Sequence, residues 1–383
     1  MNTVPARRLR IAVLSRVFAP TGGGAERYSI ALVEQLAQRH DIHVFAQHVN
    51  HRWPGVTYHW VSSPLPQPRW LNQLWYAGAT WWRTRRGFDI VHSHENTWHG
   101  DVQTVHVKTV RRSLLGGRHG LRWLSSCLNL ALSPRLLTYL LLEHARLRVR
   151  PRRAVVAVSQ TLSKQLAEEY RGAQTMLQVI TPGVELPKRL ATKKEARHAL
   201  STGQEGQIVL FVANDYKRKG LDALLQAMTG LPKEVRLLVV GSSAQRVLYH
   251  DRAKGLGLVD RVQFFGPLQD MSCAYRCADV LAHPTLEDSF GMVVLEAMAH
   301  GLPVVVSGAN YCGISASLQN DKDALLIADP HHVEDLHSAL RRVLSDEILV
   351  RTLTKNAALF VQMNTWTHAA LAYEDLYQRM ARA

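Results

Sequence analysis

The chain has 383 residues, 46% hydrophobic and 20% charged, which is too long for one ordinary domain and sufficient for two domains with buried cores. Its formal net charge of +15 indicates an anionic partner, such as nucleic acid, a membrane surface or a phosphorylated substrate. The four cysteines include no CxxC pair, which argues against zinc and favours reduced core thiols in the cytosol.

Short apolar runs alternate with helical patterns through the first half of the chain. The basic N-terminus precedes an apolar run that is too short for a signal peptide and predicts a first buried strand. Strands alternating with helices predict parallel sheets covered on both faces. The predicted strands are 10–15, 42–46, 89–92, 102–106, 154–158 and 178–181, and helices include 25–38 and 161–169.

The segment 123–142 is long enough to cross a membrane. However, Pro134 and Arg135 lie in its middle, and a charge at the bilayer centre costs roughly 2.5–3.5 kcal/mol. We therefore predict two shorter helices that are separated at Pro134.

A polar, basic stretch follows Pro182-Gly183, and the alternation then restarts. We predict an N-terminal Rossmann-like domain at 1–185, a C-terminal one at 186–365, and a last helix at 366–383 that packs back on the first domain. Ligands of such sheets bind beyond the carboxyl ends of the strands, in a cleft. The predicted strands are 208–213, 236–240, 262–265, 280–283, 303–306 and 324–327, with helices at 221–229, 243–255, 292–299 and 367–382.

Two motifs of glycines and cations follow predicted strands. The first, PTGGGAERYSIALVEQL, includes Gly23 and Gly24 before a helix, and it predicts either a phosphate cradle or a tight turn. Its spacing excludes GxGxxG and the P-loop. The second, FVANDYKRKG, carries Lys217, Arg218 and Lys219, whose charges suit a diphosphate or form a solvated basic turn.

The third motif, LEDSFGMVVLEAMAHG, spans a loop and the start of a helix. Asp288 lies in the loop and Glu296 about one and a half turns into the helix, so the two acids can hold two sets of hydroxyl groups, as in a sugar nucleotide. Alternatively, both are ordinary helix acids. The N–H groups of Phe290, Gly291 and Met292 at the helix start form a further candidate phosphate site.

Several polar residues resemble metal ligands but lack a complete ligand set. Four histidines surround the strands at 89–92 and 102–106, and we interpret His106 as a polar contact to a reacting group. The DxD triplet Asp321-Lys322-Asp323 is interpreted as a turn. We expect neither a metal nor another cofactor. The four histidines are His92, His94, His99 and His106.

Taken together, GGGAER, QTVHVKT, KRKG and EDSFGMVVLEAMAHGLPVV resemble, in order and over almost the whole chain, the retaining GT-B glycosyltransferases of family 4. The stretches FVANDYKRKG and HPTLEDSFGMVVLEA, with CGIS at Cys312 to Ser315, are most similar to the lipopolysaccharide-core glucosyltransferase branch. The resemblance implies an α/β GT-B fold: two doubly wound Rossmann-like domains facing across a cleft, with the nucleotide-sugar in the C-terminal half and the acceptor in the N-terminal half.

The resemblance also implies roles for single residues. In the family's E-x7-E motif the second acid, here Glu296, holds the ribose hydroxyls, and the first contacts the donor sugar. The first position is the shorter Asp288, so either Asp288 or the adjacent Glu287 makes that contact. Ala213 stands where the family usually has an arginine, whose charge Arg218 or Lys217 supplies.

By the same resemblance, Lys219 binds phosphate, Gly23 and Gly24 lie against the diphosphate, and His106 lies beside the transferred sugar. The predicted catalytic residues are His106, Asp288, Lys219 and Arg218. The predicted donor-binding residues are Gly23, Gly24, Asn214, Lys217, Arg218, Lys219, Glu287, Asp288, Phe290, Gly291, Met292 and Glu296.

The predicted reaction moves a sugar, from a UDP-sugar by branch resemblance, to a glycolipid or saccharide acceptor of the lipopolysaccharide core or another envelope glycan. The resemblance implies retained configuration and a leaving phosphate that takes the acceptor proton. One alternative is a hydrolysing sugar-nucleotide epimerase of the same fold. The other is a nucleic-acid-binding module, for which the tryptophans at 75, 81 and 82 beside arginines give a faint signal and which leaves the third motif unexplained.

The segment 108–153 holds eleven Lys or Arg, one acid and many leucines, a local net charge of +10. This composition suits a helix lying on an anionic leaflet, or else a core helix with a solvated basic rim. We therefore predict a peripheral protein of the cytoplasmic face of the inner membrane, with the anionic membrane surface rather than nucleic acid as its partner.

Overall fold

The computed structural model describes residues 7–20, 23–115, 120, 124–125, 130, 132–187 and 189–382. The chain divides into two compact units. The first comprises Met1–Pro182 with Trp366–Ala383, and the second comprises Gly183–Thr365. The basic stretch after Pro182-Gly183 thus belongs to the second unit, in which Thr192 and Glu195 form a reciprocal capping box at the start of a short helix.

The first unit is built on a seven-stranded parallel sheet in the order β5-β3-β1-β6-β7-β8-β9, with β2 paired to β4 beside it. The chain runs outward from β1 to β5 and returns to place β6 next to β1, so the loops after β1 and β6 lie at the switch point. The strands are β1 Arg10–Leu14, β2 Val17–Phe18, β3 Asp41–Ala46, β4 His48–Val49, β5 Val56–Trp60, β6 Ile90–Ser93, β7 Val102–Val105, β8 Ala154–Ala157 and β9 Leu177–Val179.

The helices of the first unit cover this sheet, and the last one, α13, packs against α1. Helix α2 was not predicted, because its buried face is mostly polar or small and three of its tryptophans are exposed. The buried residues of α2 are Gln73, Tyr76, Ala77, Thr80 and Thr84. The helices are α1 Gly24–Leu36, α2 Arg69–Thr84, α3 Val110–Leu115, α4 Pro134–Leu147, α5 Gln160–Glu169 and α13 Trp366–Arg382, with a 3₁₀ helix at Arg171–Met176.

The predicted helix start at Pro134 is confirmed. The Ser133 hydroxyl accepts a hydrogen bond from the Leu136 N–H, and Pro134 occupies the first helical turn, where its missing N–H costs nothing. The helix predicted before Pro134 lies mostly outside the described residues. Among the described residues, no helix has the length and apolar character needed to cross a bilayer.

The second unit contains a six-stranded parallel sheet in the order β12-β11-β10-β13-β14-β15. Its switch point lies between β10 and β13, so the loops that follow these two strands meet at one edge of the sheet. The strands are β10 Ile208–Val212, β11 Arg236–Val240, β12 Val262–Phe264, β13 Val280–His283, β14 Val304–Ser307 and β15 Leu325–Ile327.

All twelve predicted strands are present within two residues of their predicted ends, whereas β2, β4 and β5 were not predicted. The helix predicted from residue 243 starts instead at 246, because the Ser243 hydroxyl accepts from the Gln245 N–H in a local turn. The helices of the second unit are α6 Lys193–Ala199, α7 Leu221–Thr229, α8 Arg246–Gly255, α9 Ser272–Cys277, α10 Met292–Ala299, α11 Val333–Ser345 and α12 Glu347–Met363, with a 3₁₀ helix at Gly313–Ser317.

Candidate functional site

The loops after β10 and β13 are held together by their backbones. Gly220 has a φ of 83°, and a Cβ there would lie 1.9 Å from the Pro284 carbonyl oxygen, so only glycine fits. The Leu286 N–H donates to the Arg218 carbonyl oxygen at 2.9 Å. The loops that carry the KRKG and LEDSFG motifs are therefore in direct contact through their backbones.

Lys219 reaches across this junction to Asp288. Its ammonium donates to Asp288 Oδ2 and, at 3.4 Å, to the carbonyl oxygen of Glu287. His283, the last residue of β13, places Nε2 at 3.1 Å from the same Asp288 oxygen. The side chains of Lys219 and Asp288 are only 15% and 19% exposed, so this ion pair is largely shielded from water.

The protonation of the cluster follows from its surroundings. Burial alone would raise the pKa of Asp288, but the hydrogen bond from His283 and the charge of Lys219 outweigh burial and hold that pKa well below its ordinary value. Burial lowers the pKa of His283, which is 1% exposed at its side chain. The cluster therefore consists of an ammonium, a carboxylate and a neutral imidazole that donates from Nε2.

The CGIS stretch and the residue before it are hydrogen-bonded to the backbone of Asp288. The Asp288 N–H donates to the Tyr311 carbonyl oxygen at 2.7 Å, and the Gly313 N–H donates to that of Asp288 at 3.0 Å. Gly291, with a φ of 101°, begins α10 where a Cβ would meet the Cys312 sulfur at 2.7 Å. This packing fixes the turn between the two acids of the motif.

His283, Asp288 and Cys312 lie close enough together to bind a metal ion, a grouping that spacing did not predict. Their chemistry opposes it, because Lys219 already neutralises Asp288 and a divalent cation would be repelled by the ammonium. Burial also raises the pKa of the Cys312 thiol far above its ordinary value, which disfavours a thiolate.

Glu296 lies on α10 in a half-buried position. The Tyr275 hydroxyl, from α9, donates to Glu296 Oε2 at 2.6 Å. The His300 ring stacks on the Tyr275 ring with centroids 5.0 Å apart, and His300 Nδ1–H donates to the Glu296 carbonyl oxygen at 2.8 Å. Glu296 is therefore an oriented carboxylate, which excludes the alternative of a freely solvated helix acid.

Other predicted donor-binding residues have different partners. The Phe290 N–H, expected to be available to phosphate, instead donates to Asp288 Oδ1 at 3.3 Å. Arg218 is exposed and pairs with Asp215 at 3.4 Å rather than with Asp288. Asn214 Oδ1 accepts from the Ser242 N–H at 2.9 Å, which ties the end of β10 to the end of β11.

Apart from Gly23 and Gly24, the remaining members of the predicted set lie on the same two loops and at the start of α10. Lys217 and Asn214 are exposed, Glu287 and Met292 are half-buried, and Phe290 and Gly291 are buried. Ala213, which replaces the arginine that is usual in the family, is buried at the end of β10. Lys219 is thus the predicted cation that touches Asp288, and the charges of Lys217 and Arg218 lie on the exposed side of the loop.

His106 in the first unit follows β7 directly, and His94 follows the neighbouring strand β6. Their rings stack with centroids 5.3 Å apart, and His94 Nδ1 lies 3.0 Å from His106 Nε2. The ring of Tyr28, from α1, makes a T-shaped contact with the His106 ring, with centroids 4.8 Å apart. Burial lowers the pKa of His94 to about 3 and also lowers that of His106, and the buried guanidinium of Arg146 adds to both shifts.

Gly23 and Gly24 stand at the start of α1 after the switch-point strand β1. A Cβ on Gly24 would meet nothing within 4 Å, so its backbone faces open space. A Cβ on Gly23 would lie 3.1 Å from a carboxylate oxygen of Glu26. That carboxylate opposes a second negative charge at this helix start.

The structure also shows the surroundings of His92 and of residues 321–323. His92 is bound by protein groups, with Nε2 2.7 Å from Thr104 Oγ1 and Nδ1 2.6 Å from the Tyr377 hydroxyl. Residues 321–323 form the predicted turn, closed by the Asp321 N–H donating to the Ala324 carbonyl oxygen. The DxD spacing there therefore reflects local chain reversal.

Two cations of the basic segment point inward. Arg146 donates to Gln103 Oε1 at 3.0 Å, and Arg153 donates to the Trp98 carbonyl oxygen at 2.9 Å. Both are less than 10% exposed, so the predicted basic surface is smaller than the sequence count implies. Glu143, the single acid, is also buried, and it receives the N–H groups of Val110 and Arg111 at the start of α3.

Sequence reasoning missed His283 and Tyr275, and it named His94 without predicting its contact with His106. His283 ends a strand five residues before Asp288, a position that could have drawn attention. Tyr275 is separated from Glu296 by 21 residues, and the link between His94 and His106 depends on the pairing of β6 with β7. These two contacts depend on tertiary structure and leave no signal in local spacing.

Residues 22–188 match the family Glycosyltransferase Family 4, and residues 192–360 match the family Glycosyl transferases group 1. D-inositol 3-phosphate glycosyltransferase of Corynebacterium aurimucosum is 29% identical over 230 residues, which cover 56% of this chain and 54% of that protein. Lipopolysaccharide glucosyltransferase WaaG of Escherichia coli is 30% identical over 206 residues, which cover 51% and 54%. The chain spans about half the length of these curated relatives.

Solved structures share the fold over nearly the whole chain. WaaG has a TM-score of 0.81 at 21% identity, covering 96% of this chain and 99% of that one. Sucrose-phosphate synthase from Thermosynechococcus elongatus has a TM-score of 0.79 at 23% identity, with coverage of 97% and 99%. Anabaena HepE in complex with UDP and glucose has a TM-score of 0.72 at 18% identity, with coverage of 96% and 99%.

The predicted α/β fold class is confirmed by these likenesses and by the two parallel sheets. The two family matches follow one another along the chain and together cover most of it. The chain belongs to the GT-B glycosyltransferases of family 4.

Proposed function

We propose that this protein transfers a sugar from a nucleotide-sugar to a hydroxyl group of a glycolipid or saccharide acceptor, with retained anomeric configuration. The observation that carries the proposal is the junction after β10 and β13. There one cation, Lys219, meets one carboxylate, Asp288, and the oriented carboxylate of Glu296 follows on the adjacent helix. Such a set offers charge for a diphosphate and acceptors for hydroxyl groups.

Lys219 is the proposed contact to the leaving diphosphate. An ammonium has three donors, and the described contacts of Lys219 are the two with Glu287 and Asp288. It can therefore keep Asp288 in place and still donate to a phosphate oxygen. Arg218, on the exposed side of the same loop, and the start of α10 add positive potential for the charge that develops as the sugar leaves.

Glu296 and Asp288 are the proposed hydroxyl contacts. Tyr275 holds one oxygen of Glu296, so the carboxylate is oriented before a ribose arrives. Asp288 makes the donor-sugar contact in this proposal, because its side chain is fixed by Lys219 and His283, whereas the described contact of Glu287 with Lys219 is through its backbone carbonyl. The leaving phosphate takes the acceptor proton, and the positive charges remove the need for a metal.

A UDP-sugar is the proposed donor, since HepE, which shares the fold, was solved with UDP and glucose. The acceptor class rests on the relatives. WaaG is a lipopolysaccharide glucosyltransferase, and the inositol enzymes act on D-inositol 3-phosphate. A cell-envelope glycolipid is our first choice, and a phosphorylated polyol is the second candidate that the net charge of +15 favours.

Product analysis tests the proposal. The protein is incubated with UDP-, GDP- and ADP-sugars and with core oligosaccharides or D-inositol 3-phosphate, and the products are measured by mass spectrometry and anomeric NMR. We expect an acceptor that gains one sugar with the anomeric configuration of the donor. An epimerised or merely hydrolysed donor, with no glycosylated acceptor, would favour the epimerase alternative and refute transfer.

We also propose that the first unit binds the cytoplasmic face of an anionic membrane. Leu132, Leu137 and Leu141 on and beside α4 are 73%, 41% and 60% exposed, and Arg135 and Arg148 accompany them at the surface. Each such cation near an anionic leaflet contributes about 1 kcal/mol. The leucines supply the apolar contact that an interfacial helix needs.

Helix α2 extends this surface, because it packs against α4 and carries three tryptophans that are about half exposed. The guanidinium of Arg85 lies 4.4 Å from the ring of Trp82. Amphipathic rings of this kind favour the boundary between headgroups and acyl chains. The exposed tryptophans of α2 are Trp75, Trp81 and Trp82.

Vesicle flotation tests this second proposal. The protein should float with anionic vesicles at low salt, float less at high salt because charges are screened, and ignore neutral vesicles. Leu137→Ser with Leu141→Ser should weaken flotation, whereas Leu359→Ser, at an exposed leucine of the second unit, should not. Failure to float with anionic vesicles at low salt would refute membrane binding and assign the basic segment to a phosphorylated acceptor.

A further inference from the structure

His94 and His106, which follow β6 and β7, share one hydrogen bond, and its direction decides which nitrogen of His106 carries the proton. A neutral imidazole carries a single N–H, and the contact between His94 Nδ1 and His106 Nε2, at 3.0 Å, holds a single proton. Both rings are neutral because desolvation and the nearby guanidinium of Arg146 lower their pKa values. The proton in the contact belongs either to His94 or to His106, and the two choices give different outer nitrogens.

The far side of His94 decides between them. His94 Nε2 is buried and has no hydrogen-bond partner among the described residues. If His106 were the donor, the N–H of His94 would lie on Nε2, where a buried donor without a partner carries its full desolvation penalty. If His94 donates from Nδ1, its Nε2 is an unprotonated lone pair, and orphaned acceptors are tolerated more often than orphaned N–H groups.

We propose that His94 is a positioning residue that holds His106 as its Nδ1–H tautomer. His106 then presents a permanent hydrogen-bond donor, which fits a hydroxyl oxygen of a sugar, and it has no basic nitrogen available there to accept a proton. The sugar as ligand rests on the proposed function, whereas the tautomer itself does not.

The polar groups around the two rings are hydrogen-bonded to one another. The Tyr28 hydroxyl is 2.9 Å from that of Tyr373, which is 2.8 Å from Thr104 Oγ1. Thr104 also contacts Nε2 of His92, whose ring lies against His94 with centroids 4.2 Å apart. In this series of hydrogen bonds each hydroxyl group is paired with another member, and no member contacts His94 Nε2.

The remaining nitrogen of His106 fits this role. Among the residues described here, Nδ1 of His106 has no hydrogen-bond partner, and the residue is half-buried rather than enclosed. A donor at that position is held by two strand ends rather than by a mobile loop. This is the condition under which a donor contributes to orientation of a ligand without reorganisation.

The test is nitrogen NMR of the full chain labelled with ¹⁵N-histidine, without any ligand. We expect His106, assigned by its loss in His106→Asn, to show a protonated Nδ1 and an unprotonated Nε2, and His94 to show the same tautomer. A protonated Nε2 on His106 would overturn the proposal. The readout needs no activity, so it stands even if no nucleotide-sugar is ever turned over.

Variants separate positioning from packing. His94→Ala should shift His106 towards the Nε2–H form and lower kcat/KM at least tenfold, whereas His94→Asn, whose amide can donate to His106 Nε2, should restore both. His99→Asn is the control, because His99 is another buried imidazole of this unit with no described partner on its ring nitrogens. It should leave the His106 spectrum unchanged. An unchanged tautomer in His94→Ala would refute the positioning role.

Discussion

The two units hold polar side chains at their strand ends in opposite ways. In the first unit, His94 and His106 share a hydrogen bond, the ring of His92 packs against His94, and desolvation lowers the pKa of all three so that they are neutral. In the second unit, Asp288 stays ionised because the hydrogen bond from His283 and the charge of Lys219 lower its pKa. The difference teaches that burial alone does not set a site's chemistry. Uncharged donors suit sugar hydroxyls, and a compensated charge suits a diphosphate.

Acid should separate the two units most strongly. A histidine with a lowered pKa remains unprotonated in the folded chain while the unfolded chain takes up the proton, so stability falls as the pH drops below about 6.5. We expect roughly 1 kcal/mol per pH unit for each histidine of this kind. Six described histidines of the first unit have lowered pKa values. They are His40, His59, His92, His94, His99 and His106, of which His94 and His99 have a pKa of about 3.

The second unit should resist the same acid. Asp288 contributes stability above its ordinary pKa, and that contribution is lost only as the pH falls through its lower folded pKa. His283 is the buried histidine of this unit whose pKa is lowered. All nine tryptophans lie in the first unit, so their fluorescence reports its unfolding alone. Equal acid sensitivity of the tryptophan signal and of hydrogen exchange in the second unit would contradict the comparison.

Removing Lys219 breaks the compensated charge. Lys219→Ala leaves Asp288 largely buried without its cation, which should cost about 3 kcal/mol of unfolding free energy. Turnover should fall further, at least a hundredfold, because the variant also loses its proposed phosphate contact. Urea unfolding and steady-state kinetics measure the two effects. Lys217→Ala, two residues away and exposed, is the control for stability. Its unfolding free energy should stay within about 0.5 kcal/mol of that of the unaltered chain. Unaltered kcat/KM in Lys219→Ala would show that the pair is only structural.

Glu296→Gln tests the proposed ribose contact. Loss of a charged acceptor should weaken binding of the preferred nucleotide-sugar by about 1.5–3 kcal/mol, a roughly tenfold to hundredfold rise in Kd. Calorimetric titration gives this value. Glu347→Gln, at a glutamate that is 86% exposed on α12, is the matched control. An unaltered Kd in folded Glu296→Gln would rule out the contact.

Chelation should have the smallest effect. EDTA should leave kcat unchanged. Among His283, Asp288 and Cys312, the carboxylate of Asp288 is already paired with the ammonium of Lys219, which would repel a divalent cation. An assay before and after EDTA decides. Complete loss of activity with rescue by Mg²⁺ or Mn²⁺ would mean that a metal, rather than lysine and helix dipoles, neutralises the diphosphate.

The strands and the site loops could be predicted because their signals are local. A buried parallel strand is a short apolar run, and KRKG and LEDSFGMVVLEA place their cations and acids directly beside such runs. Strand β5 was missed because it lies at the sheet edge, where its side chains mix exposed and half-buried positions. The contacts of Tyr275 with Glu296 and of His94 with His106 join distant segments, and neither hydrophobic period nor motif spacing encodes them.

Hydrogen exchange with UDP-glucose tests the central claim, that the loops after β10 and β13 bind the nucleotide-sugar. The account predicts slower exchange on adding UDP-glucose in peptides that span 214–221 and 284–300, and no slowing there in Lys219→Ala or Glu296→Gln. Protection confined to other segments, in a preparation that transfers glucose from UDP-glucose, would contradict it.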